Sequence, residues 1–349
     1  MANLTQLADF DEVIDVRTPS EFAEDHVPDA VNRPVLTDQE RAHVGTLYKR
    51  VSAFTGRKVG AALVSRNIAQ HIEQEFMDNP RSWRPLVYCW RGGKRSDAMV
   101  HILREIGWDA HRLEGGYKAY RRTVVAEVPH LARRCSLRVI CGLTGSGKSY
   151  LLQTLTSFGA QVLDLENLAA HRGSVLGGLP DQPQPAQKMF ESRIWWQLRN
   201  FRTSAPVFVE SESKRIGQLR VPEELMTVMR ESECFRVNTS IATRVRLLME
   251  HYPHFLADPV ELGRQLDRLV QLHGRAAIER WKALAEQGEW QVLVQELLEH
   301  HYDPAYNRSI AAHYPRLAQA RSVEIATCDE ASFGAAARAL IADAAQAAA

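Results

Sequence analysis

The sequence is poor in the features that would commit it to a disulfide scaffold or a membrane. Its 349 residues hold five cysteines, an odd number with no C-x-x-C spacing, which argues against both a disulfide framework and a structural zinc site. No apolar run approaches membrane-spanning length. Residues 1–11 show no basic segment followed by an apolar one, so no secretory leader is visible. A surplus of one charge is missing too. Lys and Arg number 43 against 42 Asp and Glu, a net +1, which excludes a globally basic nucleic-acid binder; a polyanion would have to meet a local patch. These absences point to the cytoplasm. What remains is an ordinary globular composition, 45% hydrophobic and 24% charged, in a chain long enough for two domains. Cys135, Cys141, Cys234 and Cys328 lie in or beside apolar runs and read as core residues.

The fifth cysteine is different. Leu86-Val87-Tyr88 reads as a buried strand, and Asp97 to Leu103 carries the apolar spacing of a helix. Between them lies Cys89-Trp90-Arg91-Gly92-Gly93-Lys94-Arg95-Ser96. Gly92 and Gly93 let successive N–H groups curl inward into an anion-binding nest. The helix N-terminus and the cations Arg91, Lys94 and Arg95 add positive potential. A thiol placed there loses its proton readily and reads as a nucleophile. The alternative is a small buried hydrophobe, the usual fate of a free cysteine.

Around this loop, Val13-Ile14-Asp15-Val16 reads as a strand and Arg17 to Phe22 as a turn entering a short helix. Helical text runs from about Val51 to Glu75, and a last strand, Ala110 to Leu113, ends at Glu114-Gly115-Gly116-Tyr117. Alternating strands and helices predict a parallel sheet with its ligand site beyond the strands' C-terminal ends, where Cys89 falls. Asp15-Val16-Arg17, His26 to Asn32, the cysteine loop and Leu113 to Gly116 together resemble a rhodanese domain, whose loop cysteine carries sulfur or selenium. By that resemblance Asp15 and Arg17 brace the loop; a strand-end ion pair reads equally well. Cys89, five residues, then Arg95 also fits the cysteine phosphatases, which need a general acid that this loop does not offer.

After Arg133-Arg134, Leu137 to Cys141 reads as a strand, and Gly142-Leu143-Thr144-Gly145-Ser146-Gly147-Lys148-Ser149 matches the whole G-x-x-x-x-G-K-S phosphate-binding loop, followed by helical text from Tyr150. Backbone N–H groups there surround a phosphate, Lys148 neutralises it, and Ser149 can hold magnesium. Strands follow at 161–164, 207–210, 234–237 and 323–326, with an Ala-rich helix after Glu330. Glu210 or Glu212, at a strand end, is a candidate for orienting a metal, against a solvated carboxylate. Arg244 and Arg246 are similar to the phosphate-clamping arginines of P-loop kinases, or form a basic face. The polar block Asp164 to Ser174 puts Glu166, His171 and Arg172 among the candidate contacts. A helical region spans about 256–321 and ends in the aromatic and cationic text from His300 to Arg308, which reads either as base-stacking surface or as a solvated helical insertion. Paired His300 and His301 lack metal-ligand spacing.

The order of motifs resembles the tRNA 2-selenouridine synthase family over essentially the whole chain. The resemblance implies an α/β fold: an N-terminal rhodanese-like parallel sheet with helices at 1–125 carrying the catalytic cysteine, then a P-loop NTPase-like α/β domain at 126–349 with a helical insertion. It implies an enzyme that replaces sulfur by selenium in 2-thiouridine at the wobble position of tRNA, by way of S-geranylation. Selenophosphate and geranyl diphosphate would be co-substrates and magnesium a companion at Ser149, with no tightly bound cofactor. The partners implied are the tRNA anticodon arm and selenophosphate synthetase, and no membrane. Selenium would ride on Cys89 as a perselenide, its charge held by Arg91, Lys94 and Arg95. Phe190, Trp195 and Trp196 are candidates for an apolar groove holding the geranyl tail. Arg81, Arg84, Arg91, Lys94, Arg95, Arg121, Arg122, Arg133 and Arg134 are the cations that would meet tRNA across the domain junction. The competing readings from the residues alone are a P-loop kinase or ATPase with a regulatory rhodanese module, and a cysteine phosphatase.

Overall fold

The computed structural model describes residues 1–174, 176–180 and 182–346. The chain forms two compact units, Met1–Glu127 together with Ala186–Trp196, and Val128–Pro185 together with Gln197 onward. A single cut near residue 125 therefore misses one excursion, in which eleven residues numbered with the second unit pack in the first.

In the first unit, β1 (Glu12–Asp15), β2 (Val31–Asn32), β3 (Pro85–Tyr88) and β4 (His111–Arg112) form a wholly parallel sheet in the order β2-β1-β3-β4. Every residue of β3 is buried, as expected for a strand covered on both faces. The core joins Ile14, Val16 and Val87 to Met99, Leu103 and Trp83. The helix expected over about Val51 to Glu75 is Ala53–His71 with a π turn to Phe76, and a further helix, Asp38–Arg50, precedes it. Thr37 starts the first with a reciprocal cap to Glu40.

The second unit is built on β5 (Leu137–Cys141), β6 (Gln161–Leu163), β7 (Val207–Glu210), the small antiparallel pair β8 (Arg215–Ile216) and β9 (Leu219–Arg220), β10 (Glu233–Thr239) and β11 (Arg321–Ile325). Its main sheet is parallel in the order β11-β10-β5-β7-β6. The phosphate-loop strand β5 is thus central, and the loop leaves its C-terminal end, where ligands bind in open parallel sheets. One core packs Ile140, Phe208 and Phe235 against Leu151, Leu155 and Phe333 of flanking helices. The helical region has its own core around Leu262, Leu266, Ile278, Trp281 and Leu293. No described helix is long and apolar enough to cross a membrane.

Candidate functional site

Two sites emerge, one in each unit. In the first, Cys89 follows β3 and Gly93 caps the helix Lys94–Ile106. The sulfur, almost fully buried, accepts from the Gly93 N–H and the Ser96 hydroxyl, each at 3.2 Å. Burial raises the thiol pKa, but hydrogen bonds from the Ser96 hydroxyl and the N–H groups of Ser96, Gly93 and Arg91 outweigh it, so the thiol lies below its ordinary value. Backbone donors and one hydroxyl therefore do what the sequence assigned to cations. Arg91 and Lys94 are exposed. Arg95 pairs with Glu21 at 2.9 Å, which commits part of its guanidinium to that carboxylate. Trp90 leans over Tyr117, with ring centroids 5.2 Å apart.

The loop is held from behind. The N–H groups of Tyr117 and Lys118 donate to the carbonyls of Cys89 and Trp90, both at 2.9 Å. Gly116, at φ +57°, fits only because it has no side chain: a Cβ there would collide with the Cys89 carbonyl and the Gly92 nitrogen. Under Tyr117 lies a buried network. Arg17, 1% exposed, pairs with Asp15, donates to the Asp25 carbonyl at 2.6 Å, and stacks 3.9 Å from the Tyr117 ring centroid. The Tyr117 hydroxyl reaches the Asp25 carboxylate at 2.8 Å. Asp15 and Arg17 thus connect to the loop through the aromatic ring that carries its buttress.

The second site is a cavity of about 1020 Å³ around the phosphate-binding loop. Gly145 and Gly147 take φ of +77° and +87°, and Thr144 to Ser149 line the space. Gly142 sits just behind it, its N–H bonded to the Tyr306 hydroxyl at 2.8 Å. Lys148 folds toward the Gly142 carbonyl, 2.8 Å away. Ser149 donates to Glu166 at 3.2 Å. Glu166 and Glu212 both line the cavity and crowd the same point beside Gly173. Burial, then Glu166, drives the Glu212 pKa far up. Glu210 is also driven up, by burial and then Asp164, Glu166 and Glu212, but it lies beneath the cavity floor and accepts the Glu166 N–H at 2.8 Å.

His171 and Arg172 line the cavity as anticipated. Burial lowers the His171 pKa, and Arg172 lies 4.5 Å from the Tyr252 ring centroid and bonds the His251 carbonyl. The arginines after β10 require correction. Arg244 is buried and committed, donating to the Thr144 carbonyl at 2.9 Å and to both carboxylate oxygens of Asp303; it braces the loop instead of clamping a phosphate. Arg246 is exposed and does not line the cavity.

The sequence reading did not place His301, Tyr302, Tyr306 and Tyr314 here, yet all four line this cavity. A π turn over Leu298–Tyr302 aims the first two, a feature frequent at functional sites. Beside the cavity an apolar recess, lined by Leu176, Phe255, Leu262, Trp290, Leu293 and Leu297, shares Thr144, Ser174, Leu248, Tyr252 and Tyr302 with it. Phe190 and Trp195, the sequence's choices for an apolar groove, are instead fully buried in the first unit, Trp195 bonding Glu127 at 2.8 Å. Of the cations chosen to meet a polyanion, Arg84, Arg95, Arg121 and Arg133 are held by Asp109, Glu21, Glu191 and Glu224.

Comparison with known proteins adds an independent line. Residues 2–123 match the model of the rhodanese-like domain, and residues 135–261 that of the tRNA 2-selenouridine synthase AAA domain. A tRNA 2-selenouridine synthase of Nitrosomonas europaea is 37% identical over 265 residues, 74% of this chain and 67% of the relative. One from Pseudomonas fluorescens is 33% identical over 322 residues, 84% and 87%. A solved N-terminal domain of a putative ATP/GTP binding protein from Clostridium difficile is 36% identical, covers 36% of this chain and 98% of its own, and superposes with a TM-score of 0.32.

Proposed function

The chain belongs to the tRNA 2-selenouridine synthase family, and from that premise we propose that its two sites divide one tRNA modification between them, S-geranylation at the phosphate-binding loop and selenium delivery at Cys89. The substrate is 2-thiouridine at the wobble position of tRNA, and geranyl diphosphate and selenophosphate are the co-substrates.

The observation that carries the first step is the apolar recess beside the phosphate cradle. A phosphate loop alone suits any polyphosphate. A recess of about 60 Å³ walled by Phe255, Leu262 and Trp290, sharing Thr144 with that loop, suits the first carbons of a hydrocarbon tail on a diphosphate, at roughly 0.8 kcal/mol per buried methylene. The thiouridine sulfur attacks C1 of the geranyl group, the C–O bond breaks, and diphosphate leaves while N3 of the base gives up its proton. Lys148 and the loop N–H groups receive the charge that develops on the leaving oxygens.

The acidic side of the cavity fits a magnesium ion. Ser149, Glu166 and Glu212 meet there, and two carboxylates crowd each other, with Lys148 as a compensating charge. No three His, Cys, Asp or Glu side chains among the described residues gather to hold a metal by themselves, which matches an ion held by one or two carboxylates plus phosphate oxygens. Ser149 with Glu166 or Glu212 would hold it, and it would supply Lewis-acid stabilisation of the departing diphosphate.

Geranylation turns a thione into a thiol leaving group. Selenium delivered as a nucleophile then adds at C2, and the C–S bond breaks to release geranyl thiol. Selenium stays at the selenide level: the P–Se bond of selenophosphate breaks as its phosphoryl group passes to water, and the Cys89 loop delivers the selenide released, an anion that the Gly93 N–H and the Ser96 hydroxyl would receive. Mass spectrometry of nucleosides from 2-thiouridine tRNA tests the scheme. With enzyme and geranyl diphosphate, S-geranyl-2-thiouridine accumulates; adding selenophosphate converts it to 2-selenouridine. A requirement for ATP in place of geranyl diphosphate would overturn it.

A further inference from the structure

Between Glu40 and Glu73 the sequence has no acidic residue, yet it holds Arg41, Lys49, Arg50, Arg57, Lys58 and Arg66. In a chain whose net charge is only +1, this stretch is a concentrated positive segment. It is also a single structural element. Helices Asp38–Arg50 and Ala53–His71 form a hairpin joined by Val51 and Ser52, whose hydroxyl caps the second helix. Close packing holds it together: a Cβ on Gly56 would come within 2.9 Å of the Tyr48 backbone, and one on Gly60 within 3.2 Å of Val44. The thirteen-residue first helix makes an arm about 20 Å long at 1.5 Å per residue.

All six cations are exposed; Arg66 lies near enough to Glu40 to lower its pKa, and the other five have no carboxylate partner among the described residues. That sets them apart from Arg84, Arg95, Arg121 and Arg133. At the turn the arm also exposes Tyr48, Val51 and Phe54, at 54%, 65% and 63%, with the Lys58 ammonium 4.9 Å from the Phe54 ring centroid. The base of the arm is fixed. Asn67 donates to the Val35 carbonyl, and Asp38 accepts from Ser20 in the short helix Pro19–Glu24, whose Glu21 holds Arg95 of the cysteine loop.

We propose that this hairpin is an RNA-gripping arm, in which the unpaired cations meet phosphates and Tyr48 and Phe54 stack on unpaired bases of a tRNA loop. Aromatics interleaved with unpaired cations suit single-stranded RNA, whose bases offer π faces and whose backbone offers regularly spaced charge. The proposal rests on the reading of the substrate as a tRNA.

The test measures binding of the full chain to labelled tRNA across a range of salt concentrations. It compares wild type, K49Q/R50Q/R57Q/K58Q and Y48A/F54A. The quadruple variant is expected to bind at least tenfold more weakly, with the slope of log K against log salt reduced by roughly 3, at 0.7–0.9 per neutralised contact. The aromatic variant is expected to weaken binding to tRNA with the slope unchanged, and to leave binding to a fully paired RNA duplex unaltered. Thermal melting and Cys89 alkylation at wild-type values show that the variants are folded. Wild-type affinity and slope in both variants, with tRNA bound by the wild type, overturn the arm alone. Failure of the wild type to bind tRNA overturns the substrate reading and the arm with it. Loss confined to phosphatidylserine vesicles, with tRNA binding intact, overturns the proposal in favour of a membrane contact.

Discussion

The cysteine loop and the phosphate-binding loop are built on one plan and end in opposite electrostatics. Each follows a buried parallel strand, turns through glycine at positive φ (Gly92 in one, Gly145 and Gly147 in the other), and opens a helix. The cysteine loop depresses its thiol with hydrogen bonds while its own cations face solvent or Glu21. The phosphate loop keeps Lys148 inside a large cavity beside Glu212, whose pKa burial and then Glu166 push far up. Anion cradles of one geometry can thus be tuned to different cargo, one to a single polarisable atom and the other to a multiply charged group with a cation. Selective ablation is the most drastic way to break this contrast. Cys89→Ala is expected to abolish 2-selenouridine while geranylated nucleoside still forms. Lys148→Ala should lower geranylation by about a hundredfold or more, the usual scale for losing a leaving-group stabiliser. Nucleoside mass spectrometry reads both; Lys148→Ala is expected to lose 2-selenouridine with the geranylated nucleoside that precedes it, and loss of both products in Cys89→Ala would erase the division of labour.

The cradles also differ in what supports them, and glycine replacements sharpen that. Gly116 and Gly93 both touch the cysteine loop, yet a Cβ at Gly93 meets nothing within 4 Å, whereas at Gly116 it strikes the Cys89 carbonyl at φ +57°. Gly116→Ala should destabilise the protein by about 2 kcal/mol or more through left-handed strain and the clash, and Gly93→Ala by well under 1 kcal/mol. Denaturant melts of the two variants measure the difference.

A smaller effect isolates the source of thiol acidity. Ser96→Ala removes a hydroxyl bond to the sulfur and should raise the thiol pKa by about one unit, since a hydrogen bond to a charged group contributes roughly 1.5–3 kcal/mol and one unit is about 1.4 kcal/mol. Lys94→Gln should barely move it. Iodoacetamide alkylation rates against pH report both; the reverse ranking would restore the cations to the role the sequence suggested.

That ranking bears on what could be read from the sequence. Both loops were legible because their residues are consecutive and sit between a strand and a helix, so local pattern and chemistry coincide. The parallel sheets were legible for the same reason. What escaped depends on contacts across long separations. Arg244 looks like a clamp until Asp303, far along the chain, takes both its nitrogens. The apolar recess is assembled from Leu176, Phe255, Trp290 and Leu297, which no window joins. Trp195 stands in a helix that leaves its numerical domain, so a plausible groove residue is core elsewhere. Ser96 sat in plain view, but its direction depends on how the glycine loop closes.

The gentlest probe exploits the sign of the pH response. Glu212 and Glu210 have raised folded pKa values, from burial and then from neighbouring carboxylates. Above the ordinary glutamate value of about 4.3, the native state holds protons the unfolded chain has released. Stability of the second unit should therefore fall as pH rises through the folded values, by up to about 1.4 kcal/mol per unit for each proton held. Cys89 behaves oppositely. Its folded pKa is depressed, so its contribution is present above the unfolded thiol value and fades as pH falls through the folded one. Glu212→Gln should flatten the loss in the second unit, because it removes one of the carboxyls whose folded pKa is raised. Magnesium with diphosphate should flatten the wild-type curve as well, by supplying the countercharge. Melting curves from pH 5 to 8 with and without magnesium diphosphate separate these effects. If the variant and wild type show equal slopes, the carboxylates are not the source of the contrast between the cradles.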